Sequence, residues 1–130
     1  MPNRPFVIED SSVELESDPA DGISWRTLTS ADRRPSAELT SGVAYIEPGG
    51  MLPLHRHSQT EIYYVIEGQG EVTLDGEQQA VGPGAMVYIP GDTPHAFRNA
   101  GTATLRFFYV FPTDSYTDVE YVMLTAAGGR

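Results

Sequence analysis

The chain has no cysteine in its 130 residues. Disulfides, thiolate metal ligands and a cysteine nucleophile are therefore excluded, and any bound metal must use nitrogen and oxygen donors. Basic residues are scarce: 8 Lys and Arg stand against 18 Asp and Glu, for a net charge of −10. That balance excludes the basic patches that recognise nucleic acid or an anionic membrane surface, so neither is an expected partner. No run approaches the roughly 20 apolar residues of a membrane span. The opening Met1-Pro2-Asn3-Arg4-Pro5-Phe6 lacks the apolar core of a secretory signal, and a cytoplasmic protein is expected. Long helical periodicity is missing too. With 40% hydrophobic and 20% charged residues, the chain reads as globular, and residues 1–130 suit a single domain.

Glycine and proline are plentiful, 13 and 10 respectively. They cluster between short apolar runs, at Gly49-Gly50, Gly68, Asp75-Gly76, Gly82-Pro83-Gly84, Pro90-Gly91-Asp92 and Asn99-Ala100-Gly101. The runs between them, rich in β-branched and aromatic residues, predict strands over 43–47, 61–67, 70–74, 85–89, 96–99 and 102–111. Residues 6–8 and 23–28 are further candidates within an N-terminal stretch of 1–40. Residues 30–36 read as a loop. A late strand is expected over 116–124, in a C-terminal extension of 112–130 whose last residues, 126–130, are expected to fray. Many short strands joined by tight turns define an all-β sandwich or barrel.

There are three histidines, and their spacing is the most informative feature. His55 and His57 are two apart, so on a strand they project from one face. Glu61 shares their parity; it joins them either through a continuous strand or through a turn at Ser58-Gln59. His95 follows a Pro-Gly turn that can bring it in from a neighbouring strand. Three imidazoles and one carboxylate suit one divalent transition metal, Fe²⁺, Mn²⁺, Ni²⁺, Co²⁺ or Zn²⁺. A site with positions left open is usually chemical rather than structural. Tyr63 lies two residues beyond Glu61 and shares its face. Phe107, Tyr109 and Phe111 form an aromatic stripe, and Tyr45 shares the parity of Val43. A buried phenol needs a partner, which makes Tyr63, Tyr109 and Tyr121 better candidates for a polar role than the phenylalanines. A phenol is a poor base at its usual pKa of about 10, but a nearby dication lowers that value. A metal-assisted phenolate can then take a weakly acidic C–H proton.

These spacings resemble the cupin family. The first cupin motif covers Gly49, His55, His57, Glu61 and Gly68, and the second covers Gly84, Pro90, His95 and Asn99. One position departs: Asp92 stands where the family usually has glycine. The resemblance implies an RmlC-like jelly-roll β-barrel with motifs within 49–99, metal ligands His55, His57, Glu61 and His95, and a homodimer that pairs through its sheets. Further stretches, Gly22 to Arg26, His55 to Tyr63, Phe111 to Asp114 and Asp118 to Tyr121, resemble the cupin-type dimethylsulfoniopropionate lyases. That closer resemblance implies a small carboxylate substrate bound to the metal, proton abstraction by Tyr63, and a second catalytic tyrosine at Tyr121. Tyr45, Tyr109 and Trp25 are expected to line the substrate pocket. Two other readings remain open for the same ligands: an Fe²⁺-dependent dioxygenase, and a ligand-binding or isomerase-type cupin.

Overall fold

The computed structural model describes residues 3–125. The expectation of fraying over 126–130 lies outside the described residues. Eleven strands, all paired antiparallel, make up two sheets. In chain order they are β1 (Glu16–Asp18), β2 (Ile23–Thr29), β3 (Thr40–Ile46), β4 (Met51–Arg56), β5 (Glu61–Glu67), β6 (Gly70–Leu74), β7 (Glu77–Val81), β8 (Met86–Ile89), β9 (His95–Asn99), β10 (Leu105–Phe111) and β11 (Val122–Met123). Single 3₁₀ turns occupy Asp10–Ser12 and Tyr116–Asp118. One sheet runs β1-β2-β3-β10-β5-β8 and the other β11-β4-β9-β6-β7. Their inner faces close on each other as a jelly-roll barrel. No helix among the described residues is long and apolar enough to cross a membrane.

Alternation decides which side chains fill the barrel. On β10, Leu105, Phe107, Tyr109 and Phe111 are buried, while Arg106, Phe108 and Val110 between them are half-buried. On β5, Glu61, Tyr63 and Val65 point inward. Phe97 of β9 answers them from the facing sheet, with its ring stacked on Tyr63 at 5.3 Å. Together with Ile46, Ile89 and Leu105 they form one core cluster. Asn99 closes the end opposite the histidines: its Nδ2 donates to the carbonyls of Ile46 and Ala103, both at 2.8 Å. The β6–β7 hairpin turns on Asp75-Gly76, whose φ angles of 50° and 87° are both positive. That is the two-residue turn whose twist matches paired strands, and the Asp-Gly pair is suited to it.

Several expectations are corrected at the ends of the chain. Residues 6–8 form no strand. Residues 3–15 instead run outside the barrel, tied down where Arg26 donates to the Val13 carbonyl and Arg106 pairs with Asp10. The strand expected over 23–28 does form, as β2, between β1 and β3. The late strand shrinks to Val122–Met123, because Tyr116–Asp118 turns as a 3₁₀ helix under a capping box from Ser115.

Candidate metal centre

Three ligand strands meet at one end of the barrel. His55 lies at the end of β4 and His57 just beyond it, His95 opens β9, and Glu61 opens β5. β4 and β9 are neighbours in one sheet, and β5 belongs to the other. A bend at Ser58-Gln59 carries the chain across between them. Plain alternation from Leu52 would turn His55 outward, yet both line the interior. The reason is a bulge: Leu52 pairs with Phe97 and His55 with His95, so three residues of β4 span two of β9. The extra residue falls at Pro53-Leu54, and proline, which has no N–H for the ladder, suits a bulge. Bulges of this kind re-aim a side chain, and here it is the first ligand.

The turn before His95 is held by Asp92, whose N–H donates to the His57 carbonyl at 2.7 Å. Asp92 sits at φ 63°. That left-handed conformation is where glycine costs least, and aspartate is among the few other residues that tolerate it. The departure from the usual glycine therefore keeps the backbone geometry. It also sets a carboxylate 3.3 Å from Arg56 on the surface.

Each imidazole is fixed by a main-chain carbonyl. His55 Nδ1 lies 2.7 Å from Pro53 O, His57 Nδ1 3.0 Å from Gln59 O, and His95 Nδ1 2.8 Å from Thr93 O. A carbonyl only accepts, so each Nδ1 carries the hydrogen and each Nε2 presents a lone pair inward. The three ligand nitrogens lie within 4.8 Å of one another, and all three residues are buried. Glu61 Oε1 lies 3.1 Å from His57 Nε2 and 3.5 Å from His95 Nε2. His95 Nε2 is buried with no hydrogen-bond partner. Three converging lone pairs, a buried carboxylate and an orphaned nitrogen are the donor set of a cation site. Burial, with the neighbouring His95 and His57, pushes the His55 pKa down to about 4. This imidazole therefore stays neutral and ready to ligate well below the usual histidine range.

Beside the ligands lies a small cavity of about 50 Å³. Trp25, Leu52, Phe107, Tyr63, Tyr109, Tyr116 and Tyr121 line it, with no Lys or Arg. Tyr63 is 1% exposed, and its hydroxyl has no partner. Its ring centroid lies 6.2 Å from that of His95. Tyr121 shows one edge to solvent while its ring packs 5.1 Å from His55 and 5.5 Å from His57. Burial first, then the Glu61 charge, holds the Tyr63 phenol well above its ordinary pKa. Burial likewise raises Tyr121, with Tyr116 and Glu61 adding to it. Both phenols therefore keep their protons unless a cation sits beside them.

The structure brings Trp25, Tyr63, Tyr109 and Tyr121 together around the ligands and leaves Tyr45 out. Tyr45 pairs with Arg106 across β3 and β10, whereas its neighbour Ala44 pairs with Phe107 and lines the cavity. Alternation therefore turns Tyr45 to the outer face, where the Arg106 guanidinium lies 6.0 Å from its ring centre. Tyr116 was missed by sequence reasoning. Its position just after Ser115, with Asp118 three residues on, carries a helix-start signal that points to a fixed turn rather than a strand. A wider groove of about 530 Å³, lined by Leu54, Glu71, Thr73 and Arg98, lies on the outer face of the second sheet and holds no histidine.

This fold and ligand set define a metal-site cupin, and the comparisons agree. Residues 42–111 match the cupin domain family, and the chain belongs to it. The dimethylsulfoniopropionate lyase DddW of Ruegeria pomeroyi is 36% identical over 98% of this chain and 85% of that protein. The polyketide cyclase RemF of Streptomyces resistomycificus superposes with a TM-score of 0.76 at 26% identity, covering 95% of this chain and 89% of that one. An RmlC-like cupin from Shewanella frigidimarina superposes with a TM-score of 0.73 over 91% and 98% of the two chains. At 19% identity it speaks for the fold alone.

Proposed function

We propose that the protein is a metal-dependent lyase that removes the α-proton of a small carboxylate, with dimethylsulfoniopropionate as the first substrate to test. The observation that carries this reading is the Tyr63 hydroxyl, buried without a partner in a cavity shared with His55 and Glu61. A divalent ion held by His55, His57, Glu61 and His95 would supply Lewis acidity for the carboxylate and for the charge that develops as the proton leaves. The chain's own residues supply the rest. Tyr63, which would lose its own proton to solvent once a cation lowers its pKa, takes the α-proton on Oη as the phenolate, the C–H electron pair becomes the new double bond, and the C–S pair leaves with sulfur, giving acrylate and dimethyl sulfide. Tyr121, above the His55 and His57 rings, closes the opposite side of the cavity. The aromatic lining excludes water and offers no cationic side chain to a second anionic group. The 36% identity to a dimethylsulfoniopropionate lyase along nearly the whole chain supports the same chemistry.

The test is headspace detection of dimethyl sulfide from protein loaded in turn with Fe²⁺, Mn²⁺, Ni²⁺, Co²⁺ and Zn²⁺. Turnover is expected, with a loss of about 100-fold or more in Tyr63→Phe. Full activity in that variant would remove Tyr63 as the base. Oxygen consumption by the iron form in place of sulfide release would move the assignment to a dioxygenase.

A further inference from the structure

Gln59 joins the metal-ligand bend to the C-terminal segment that covers the cavity, and it uses both its main chain and its side chain to do so. Its carbonyl accepts from His57 Nδ1, and its side-chain Nε2 donates to Asp118 O at 3.2 Å. Because Asp118 O only accepts, the amide nitrogen must face the segment and the amide oxygen must face inward. That oxygen is buried with no partner.

The covering strap, residues 116–124, is held unevenly. At its start, Tyr116 N donates to Ser30 Oγ at 2.9 Å, and Ser115 Oγ donates to Asp32 at 2.9 Å. Ser30 and Ser115 are both buried, so this end is a firm clasp. At its other end, β11 is two exposed residues paired with β4, followed by one bond from Leu124 N to Leu54 O. In the middle, the Asp118 carboxylate accepts from Thr113 Oγ1 and Ser115 N, and its carbonyl accepts from Gln59, the bond that ties the strap to the metal-ligand bend.

We propose that Gln59 is a latch: a positioning residue that sets Tyr121 over His55 and His57 and releases the strap to admit ligand. The closed form makes one amide bond and leaves one amide oxygen dry. Opening breaks the bond to Asp118 but lets water reach both ends of the amide, so this bond itself favours the closed form only weakly. An amide that orphans its own acceptor is a poor fixed brace and a good releasable one. This inference rests on the site geometry and not on the lyase reading.

The test reads the strap directly, without substrate, so its failure is distinct from failure of the lyase reading. Hydrogen exchange is compared in the metal-loaded full chain and in Gln59→Leu and Gln59→Glu. The amides of Val119 and Leu124, bonded to Tyr116 O and Leu54 O, are expected to exchange about tenfold faster in both variants. Tyr116 N in the clasp and Val65 N, bonded to Ala85 O in the core, are expected to keep their protection. The chain's one tryptophan, Trp25, lines the same cavity as Tyr121, and its emission should shift to the red as the strap opens. Metal affinity should stay within about threefold, because the carbonyl that orients His57 is main chain and survives both substitutions. Unchanged exchange at Val119 and Leu124 would overturn the latch. So would an equal loss of protection at Val65, which would make Gln59 a general stabiliser. Gln59→Leu carries the test alone should the glutamate variant fail to fold.

Discussion

At the scale of single residues, Tyr63 sets stability against chemistry. Its hydroxyl is buried without a partner, which costs about 1–3 kcal/mol. Tyr63→Phe is therefore expected to raise the melting temperature of the metal-free protein, by roughly 1 kcal/mol of stability, while removing turnover. Thermal denaturation in chelator checks this, and a lower melting temperature would mean that the hydroxyl has found a partner. Asp92 offers a second test, since a left-handed residue other than glycine holds about 1 kcal/mol of strain. Its ion pair with Arg56 is exposed and contributes little. Asp92→Gly is expected to stabilise by about 0.5–1 kcal/mol and Asp92→Val to destabilise by at least as much, both read from urea midpoints. Equal midpoints would show that the turn has relaxed. The motif departure at Asp92 is thus a change of side chain on an unchanged backbone.

At the scale of elements, the bulge at Pro53-Leu54 decides which way His55 faces. It lets His55 face His95 across the β4–β9 pair, with ring centroids 4.1 Å apart. Removing Leu54 would leave Leu52 and His55 two apart, so that plain alternation keeps both inside with no bulge. The deletion is therefore expected to retain metal binding and an all-β circular dichroism spectrum, and loss of high-affinity binding would show that the bulge aims His55 at His95 as well as setting its face. The sequence made the ligands legible because rare histidines sat at fixed spacings, and their face follows from local periodicity. The bulge was not legible, since nothing local says which of two registers the partner strand accepts. The buried strands β3, β5, β6, β8 and β10 were legible from apolar alternation. β7, Glu77 to Val81, was not, because its Gln78-Gln79 run lies on an exposed edge and carries no apolar pattern. Tyr45 was misplaced for a related reason: alternation gives two faces but not which one is inside, and that is set by pairing with Arg106. The strap's clasp joins residues more than 80 apart in the chain, Ser30 and Asp32 to Ser115, and such contacts have no local signal.

At the scale of the whole molecule, the metal centre couples pH to folding. Burial holds His55 at about 4 in the folded metal-free protein, against about 6.5 when the chain unfolds. Between those values the unfolded chain binds the extra proton, so stability must fall as pH drops through this window. From pH 7 to pH 5 the loss from this one group is about 2 kcal/mol, complete only below pH 4. In chelator, the melting temperature is therefore expected to fall by several degrees between pH 7 and pH 5, above the range where ordinary carboxylates titrate. Metal opposes this loss, because an ion bound at a thousandfold its dissociation constant adds about 4 kcal/mol to the folded state. The metal-loaded protein should melt higher at pH 7 and hold a flatter profile between pH 7 and pH 5. His55→Asn separates the two effects: it removes the titrating group, so the chelated variant should lose the slope between pH 7 and pH 5 while its metal affinity drops by at least about 100-fold. A slope that survives in that variant would assign the pH dependence to groups other than His55.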